Sequence, residues 1–120
     1  MEKIYIRYYE IMRDLCASEL FDGLAHPDSI KCFGYLPPRD MSDEYIMLAD
    51  ELNRQSMYAE NSGGLRLNYN PDLELGLNEK LLNVFKTRNV RILPASDAHK
   101  QSDVGANIPE LLKMIGGDEK

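Results

Sequence analysis

The stretch Val90-Arg91-Ile92-Leu93-Pro94-Ala95-Ser96-Asp97-Ala98-His99 decides the fold. Its first half is an apolar run of strand length, and its second half sets a carboxylate and an imidazole where that strand would end. Two other runs have the same construction. Phe21-Asp22-Gly23-Leu24-Ala25 leads into His26-Pro27-Asp28, and Met57-Tyr58-Ala59 leads into Glu60-Asn61-Ser62. Parallel α/β barrels place their chemistry at the C-terminal ends of their strands. Three strand ends bearing His, Glu and Asp with His therefore predict a metal site at the mouth of such a barrel.

Working outward, residues 3–19 show a helical pattern, with Ile4, Tyr8, Ile11, Met12 and Leu15 as the apolar stripe and Arg7, Glu10, Arg13 and Asp14 opposite. Leu20 to Ala25 is a predicted strand, and Lys31 to Asp40, with Gly34 and Pro37-Pro38, is a loop. A second helix is predicted from Ser42 to Gln55, capped by Ser42 and buried through Tyr45, Leu48, Ala49 and Leu52. Residues 56–60 are the second strand. The segment from Ser62 to Gly76 has Gly, Asn and Pro and little periodicity, and a loop of that length in a small domain is usually functional. Asn78 caps a third helix reaching Arg88, with Leu81, Leu82 and Phe85 inward, and Val90 to Ala95 is the third strand. The last helix begins near Pro109, carries Ile108, Leu111, Leu112 and Ile115, and stops at Gly116-Gly117.

The predicted order is thus α-β-α-β-α-β-α, an α/β chain with about three parallel strands alternating with helices. A closed barrel needs about eight strands, so the pattern is that of part of a barrel. No internal repeat, low-complexity stretch or linker interrupts it.

With 120 residues the chain has room for one domain, which would bury roughly two thirds of its unfolded surface. Its 20 acidic and 14 basic residues leave a net charge of −6, which disfavours partnership with nucleic acid or an anionic membrane. No apolar run approaches the ~20 residues of a membrane span, and no signal-peptide core follows Met1. Cys16 and Cys32 have no metal-finger spacing and belong to no nucleophile motif, so they read as free thiols of a cytoplasmic protein.

Imidazole and carboxylate ligands together suit Zn, Mn or Fe, and such ions polarise phosphoryl oxygens and supply hydroxide near neutral pH. Arg66, in a glycine-flanked loop, is the first candidate for clamping an anionic substrate, and Lys31 the second. Each residue also has a plainer reading. His26 can hydrogen-bond its own loop, Asp28 can shape the turn after Pro27, Asp97 and His99 can form a turn, and Arg66 and Lys31 can be solvated surface charges. Glu60, at the end of an apolar run, is expected to need a partner.

FDGLAHPD, YAENSGGLR and ASDAH followed by Asp103-Val104-Gly105 resemble the last three strand-end motifs of the polymerase and histidinol phosphatase (PHP) superfamily. They are most similar to its monomer-type histidinol-phosphate phosphatases. The resemblance runs from the first helix to Ile115, and makes residues 1–120 the C-terminal part of a PHP domain. It implies a distorted (β/α)7 barrel that hydrolyses L-histidinol phosphate to L-histidinol at a trinuclear metal centre, in histidine biosynthesis. It further implies metal ligation by His26, Asp97 and His99, catalytic roles for Asp97 and His99, phosphate contact by Arg66, and a site lining of Asp28, Lys31, Glu60 and Asn61.

The family's opening His-x-His motif and the ligands of its middle strands have no counterpart here; the only histidines are His26 and His99. The expectation is a phosphatase fragment whose site takes further ligands from a missing N-terminal half, with little or no turnover alone. Open sheet edges would promote self-association. Two other readings stand beside it. One is a noncatalytic PHP-derived module that binds a metal or a partner; the other is a polymerase-associated PHP domain, which the acidic balance disfavours.

Overall fold

The computed structural model describes residues 2–25, 27, 28, 30, 31, 40–63, 75–95 and 105–116. Within them helix and strand alternate as α1 (Glu2–Ala17), β1 (Gly23–Leu24), α2 (Ser42–Arg54), β2 (Tyr58–Ser62), α3 (Glu79–Thr87), β3 (Ile92–Ala95) and α4 (Ile108–Ile115). The strands form one parallel sheet in the order β1-β2-β3, with Gly23 opposite Tyr58, and Ala59 opposite Ile92. The protein is therefore an α/β chain with a three-stranded parallel sheet.

Sequential strand order with right-handed crossovers puts successive helices on one face of the sheet. The core agrees: Leu24, Ala59 and Ile92 of the three strands share a cluster with Tyr45, Leu48 and Leu52 of α2 and Leu81 and Phe85 of α3. Tyr58, Glu60 and Ser62 alternate with the buried residues of β2, so they occupy the other face and are half-buried. α1 and α2 pack side by side and run the same way, because Tyr9 meets Tyr45 edge-to-face (ring centroids 5.4 Å apart) while Cys16 lies near Glu51.

The face of α1 that packs is not the aliphatic one. Tyr5, Tyr9 and Cys16 are buried, whereas Ile4, Ile11 and Leu15 are exposed; Tyr8 and Met12 lie at the boundary. Tyrosines bring more area per residue than the aliphatics and pack edge-to-face, Tyr8 on Tyr9 and Tyr9 on Tyr45, which favours turning that side inward.

All four helices end on a residue in the left-handed region: Glu19 (φ 61°), Ser56 (φ 55°), Asn89 (φ 61°) and Gly116 (φ 93°). After α2, Met57 N–H donates to Leu52 C=O and Ser56 N–H to Asn53 C=O; after α3, Val90 N–H donates to Phe85 C=O and Asn89 N–H to Lys86 C=O. Both are Schellman motifs that satisfy the last helical carbonyls. After α1 the long bond is replaced by a hydroxyl: Ser18 Oγ donates to Leu15 C=O at 2.6 Å and accepts from Leu20 N–H at 3.4 Å.

Several expected boundaries shift. β1 is Gly23–Leu24 rather than Leu20 to Ala25, since the chain is still leaving the Glu19 turn at Leu20 and Phe21. β2 is Tyr58–Ser62 rather than 56–60, which puts Asn61 and Ser62 inside the strand along with Glu60. Ser42 is the first helical residue and not the cap of α2; the Asp40 carboxylate accepts its N–H at 3.1 Å and its hydroxyl proton, because a carboxylate two residues back reaches that amide. Asn78 does cap α3, accepting from Lys80 N–H (3.0 Å) and Leu81 N–H (3.3 Å).

Candidate functional site

Because all three strands are parallel, the chain leaves them on one edge of the sheet, and Gly63 N–H donates to Ala95 C=O at 2.9 Å where β2 and β3 end. Beneath this edge lies a buried polar network. Asp28, 6% exposed, pairs with Lys31, 5% exposed, at 2.8 Å and accepts the Asn78 N–H at 2.8 Å. Lys31 Nζ donates in addition to Gly76 C=O. The loop after β1 is thereby tied to the segment that opens α3. A buried ion pair repays its desolvation only when the remaining donors and acceptors are also satisfied, and these added bonds supply that.

Asn61 forms the second half of the network. It is fully buried; its Oδ1 accepts Leu77 N–H at 2.8 Å and its Nδ2 donates to Leu111 C=O at 3.1 Å, with Met114 Sδ at 3.8 Å. One amide thus joins β2 to the start of α3 and to α4. Gly76 is required beside it: φ is +75°, and a Cβ there would overlap Asn61 Oδ1.

Two titratable groups of α1 are buried, Tyr9 beside Asp28 and Cys16 near Glu51. Desolvation, followed by the Asp28 carboxylate, pushes the Tyr9 hydroxyl far above its ordinary pKa, so it stays protonated. Burial, reinforced by Glu51, pushes the Cys16 thiol up to about 11, which makes it unreactive at neutral pH.

Of the residues singled out from sequence, Asp28, Lys31 and Asn61 come together in this network, where their polar atoms are engaged internally. Lys31 is not a solvated surface charge: the three-residue spacing to Asp28 and the carbonyl of Gly76 draw it inside. Glu60 is half-buried, on the face of β2 opposite Ala59 and Asn61, and is not sealed in the core as a partner-demanding carboxylate would be. His26, Arg66, Asp97 and His99, together with Cys32, lie outside the described residues. Among the described residues no group of three or more His, Cys, Asp or Glu side chains is placed to hold a metal ion. Asn78, Gly76 and Tyr9 are network members that sequence reading did not single out as such. Asn78 alone carried a signal, its cap position, and nothing local announced its second bond to Asp28.

Among the described residues no helix is long and apolar enough to cross a membrane. The chain matches no protein-family model and no curated protein.

Proposed function

We propose that this chain is a metal-dependent phosphoric monoester hydrolase of the histidinol-phosphatase type in lineage, contributing late strand-end motifs to a site completed by further ligands. The supporting observation is the sequential parallel sheet, whose strands β1, β2 and β3 end on one edge, each just before or within a motif segment: HPD, ENSGG and SDAH. Partial PHP-type barrel architecture is part of the same reading.

In it, His26, Asp97 and His99 hold a divalent Zn, Mn or Fe ion, a donor set whose nitrogen and oxygen chemistry fits these metals. The ion, when bound, supplies Lewis acidity toward the phosphoryl group and lowers the pKa of water. Arg66 offers a planar, bidentate donor to the phosphate of a small substrate. The Asp28–Lys31 pair and Asn61 act beneath, fixing the ends of β1 and β2 relative to α3 and α4. The engagement of Asp28 and Asn61 in internal bonds favours the second reading, a noncatalytic module that keeps the scaffold of the family.

Phosphate release from L-histidinol phosphate, with Zn or Mn, tests the first reading. The chain alone should show little turnover; adding a polypeptide that carries the His-x-His half should raise it, and Asp97→Asn or His99→Ala should abolish that gain. Calorimetry should find no more than about one metal per chain, weakened by His99→Ala. Full metal-dependent turnover by the unassisted chain would overturn the need for added ligands, and no turnover in any combination would leave the module.

A further inference from the structure

Helix α1 carries three neighbouring rows of side chains with one spacing, each stepping four, three and four residues along the chain. Tyr5, Tyr9, Met12 and Cys16 turn toward the core. The next row is Ile4, Tyr8, Ile11 and Leu15, and its aliphatic members face solvent: Ile4 is 52% exposed, Ile11 41% and Leu15 38%. The third row, farther from the core, is Lys3, Arg7, Glu10 and Asp14, two cations followed by two anions. Alternating steps of four and three keep a row on one side of a helix and make the seam along which two helices pair.

The order of charge in the outer row is not explained within the helix. The helix dipole favours anions near the N-terminus and cations near the C-terminus. Here Lys3 lies in the first turn, Asp14 in the last, and the last turn holds no basic residue. Arg7 and Glu10 form an exposed ion pair at 3.1 Å, which accounts for the middle of the row but not for its ends. A second α1 laid antiparallel on the first accounts for all four. About a two-fold axis through the middle of the helix, Ile4 meets the partner's Leu15 and Tyr8 meets the partner's Ile11. The same operation sets Lys3 over the partner's Asp14 and Arg7 over the partner's Glu10. A parallel copy would instead set Lys3 on lysine and Asp14 on aspartate.

We propose that two copies of this chain pair through α1, antiparallel about a two-fold axis, with Ile4, Tyr8, Ile11 and Leu15 as the seam and the charged row as its flank. The patch is self-complementary, as a two-fold interface requires. The net charge of −6 does not oppose the contact, because Glu2, Glu10 and Asp14 are balanced within α1 by Lys3, Arg7 and Arg13. With 16 residues the helix is about 24 Å long, so the interface is small and the pair is of the weak, reversible kind. This association is independent of the proposed activity.

Sedimentation velocity over a concentration series tests it. The parent chain should form dimers, and Ile4→Ser with Ile11→Ser should weaken them about tenfold or more, as loss of anchoring contacts does. Lys3→Glu with Arg7→Glu makes the outer row wholly acidic, and Glu10→Lys with Asp14→Lys makes it wholly basic. Each should weaken self-pairing to a similar degree, the second even though it lowers the net negative charge of the chain. An equimolar mixture of these two variants should pair at least as tightly as the parent. Exchanging all four charges at once, which leaves the net charge unchanged, should restore self-pairing. The substituted side chains are exposed or half-exposed, so every variant should keep the far-ultraviolet circular dichroism of the parent. A parent chain that stays monomeric at its highest soluble concentration would overturn the proposal and leave this face of α1 to a different partner. So would charge variants that associate as before, or a mixture that forms no pair.

Discussion

The carboxylate of Asp28 accepts the backbone N–H of Asn78 at 2.8 Å across fifty residues of chain, while the side chain of Asn78 caps α3. The residue that starts the helix is thus itself held from the loop after β1. Lys31 neutralises the carboxylate from its other side and reaches Gly76, so two short segments far apart in sequence are locked by one charge pair.

Removing one member of that pair should leave the other buried and unpaired. Lys31→Met or Asp28→Leu alone should destabilise the fold by about 3–5 kcal/mol, and the double replacement by less than the sum of the two. Urea unfolding of the four proteins of the cycle measures the coupling.

Asn61→Ala should strand the Leu77 N–H in a dry interior, at about 1–3 kcal/mol, while the Leu111 C=O keeps its place in the hydrogen-bond ladder of α4. Gly76→Ala should be costly for a different reason, overlap with Asn61 Oδ1 combined with a positive φ. Combining Gly76→Ala with Asn61→Ala should recover part of the overlap cost and none of the backbone cost, which chemical denaturation would separate.

Cys16 supplies a pH dependence. Its folded thiol ionises near 11, above the ordinary value of 9.0, so below about pH 9 both states keep the proton and nothing is lost. As pH rises from about 9 to about 11 the unfolded thiol ionises first, and stability falls. In a Cys32→Ser background, Cys16→Ala should remove this part of the alkaline slope, and Cys16 should react with a thiol reagent in native protein only as fast as the fold opens.

Gly23 and Tyr58 are register partners, and the phenol lies so close over Gly23 that any Cβ would overlap the ring. Gly23→Ala should weaken the β1–β2 pairing, and Tyr58→Ala should rescue it, a sign reversal readable in thermal midpoints. Arg91, whose guanidinium sits 5.9 Å from the Tyr58 ring centroid, should matter less, since an exposed cation–π contact contributes about 0.5–1 kcal/mol.

The alternation of helix and strand, the inward stripes of α2 and α3 and the Asn78 cap were readable because each is written in local spacing. Leu48, Leu52, Leu81 and Phe85 have no competing face. α1 has two, and which one turned inward depended on Tyr45, a residue of another helix. Lys31 shows the same limit for charge: its sequence neighbours do not reveal the Gly76 carbonyl that draws it inside. The end of β2 was placed two residues early because Asn61 and Ser62 look like loop residues, yet the alternation continues through them and puts Asn61 beneath α4. Of the candidate ligands, the sheet orders the chain segments that precede them, while the ligands themselves lie beyond the described residues.

The parallel register has a kinetic consequence. Gly23 meets Tyr58, and Ala59 meets Ile92, so each strand contact joins residues more than thirty apart, and no hairpin can form early as a local nucleus. Chain entropy must be surrendered for two long closures before either ladder repays it. The helices can flicker in advance, but the sheet commits late. While it does, Leu20, Phe21 and the unshielded flank of α1 are already in water, so at high protein concentration refolding competes with capture by another chain.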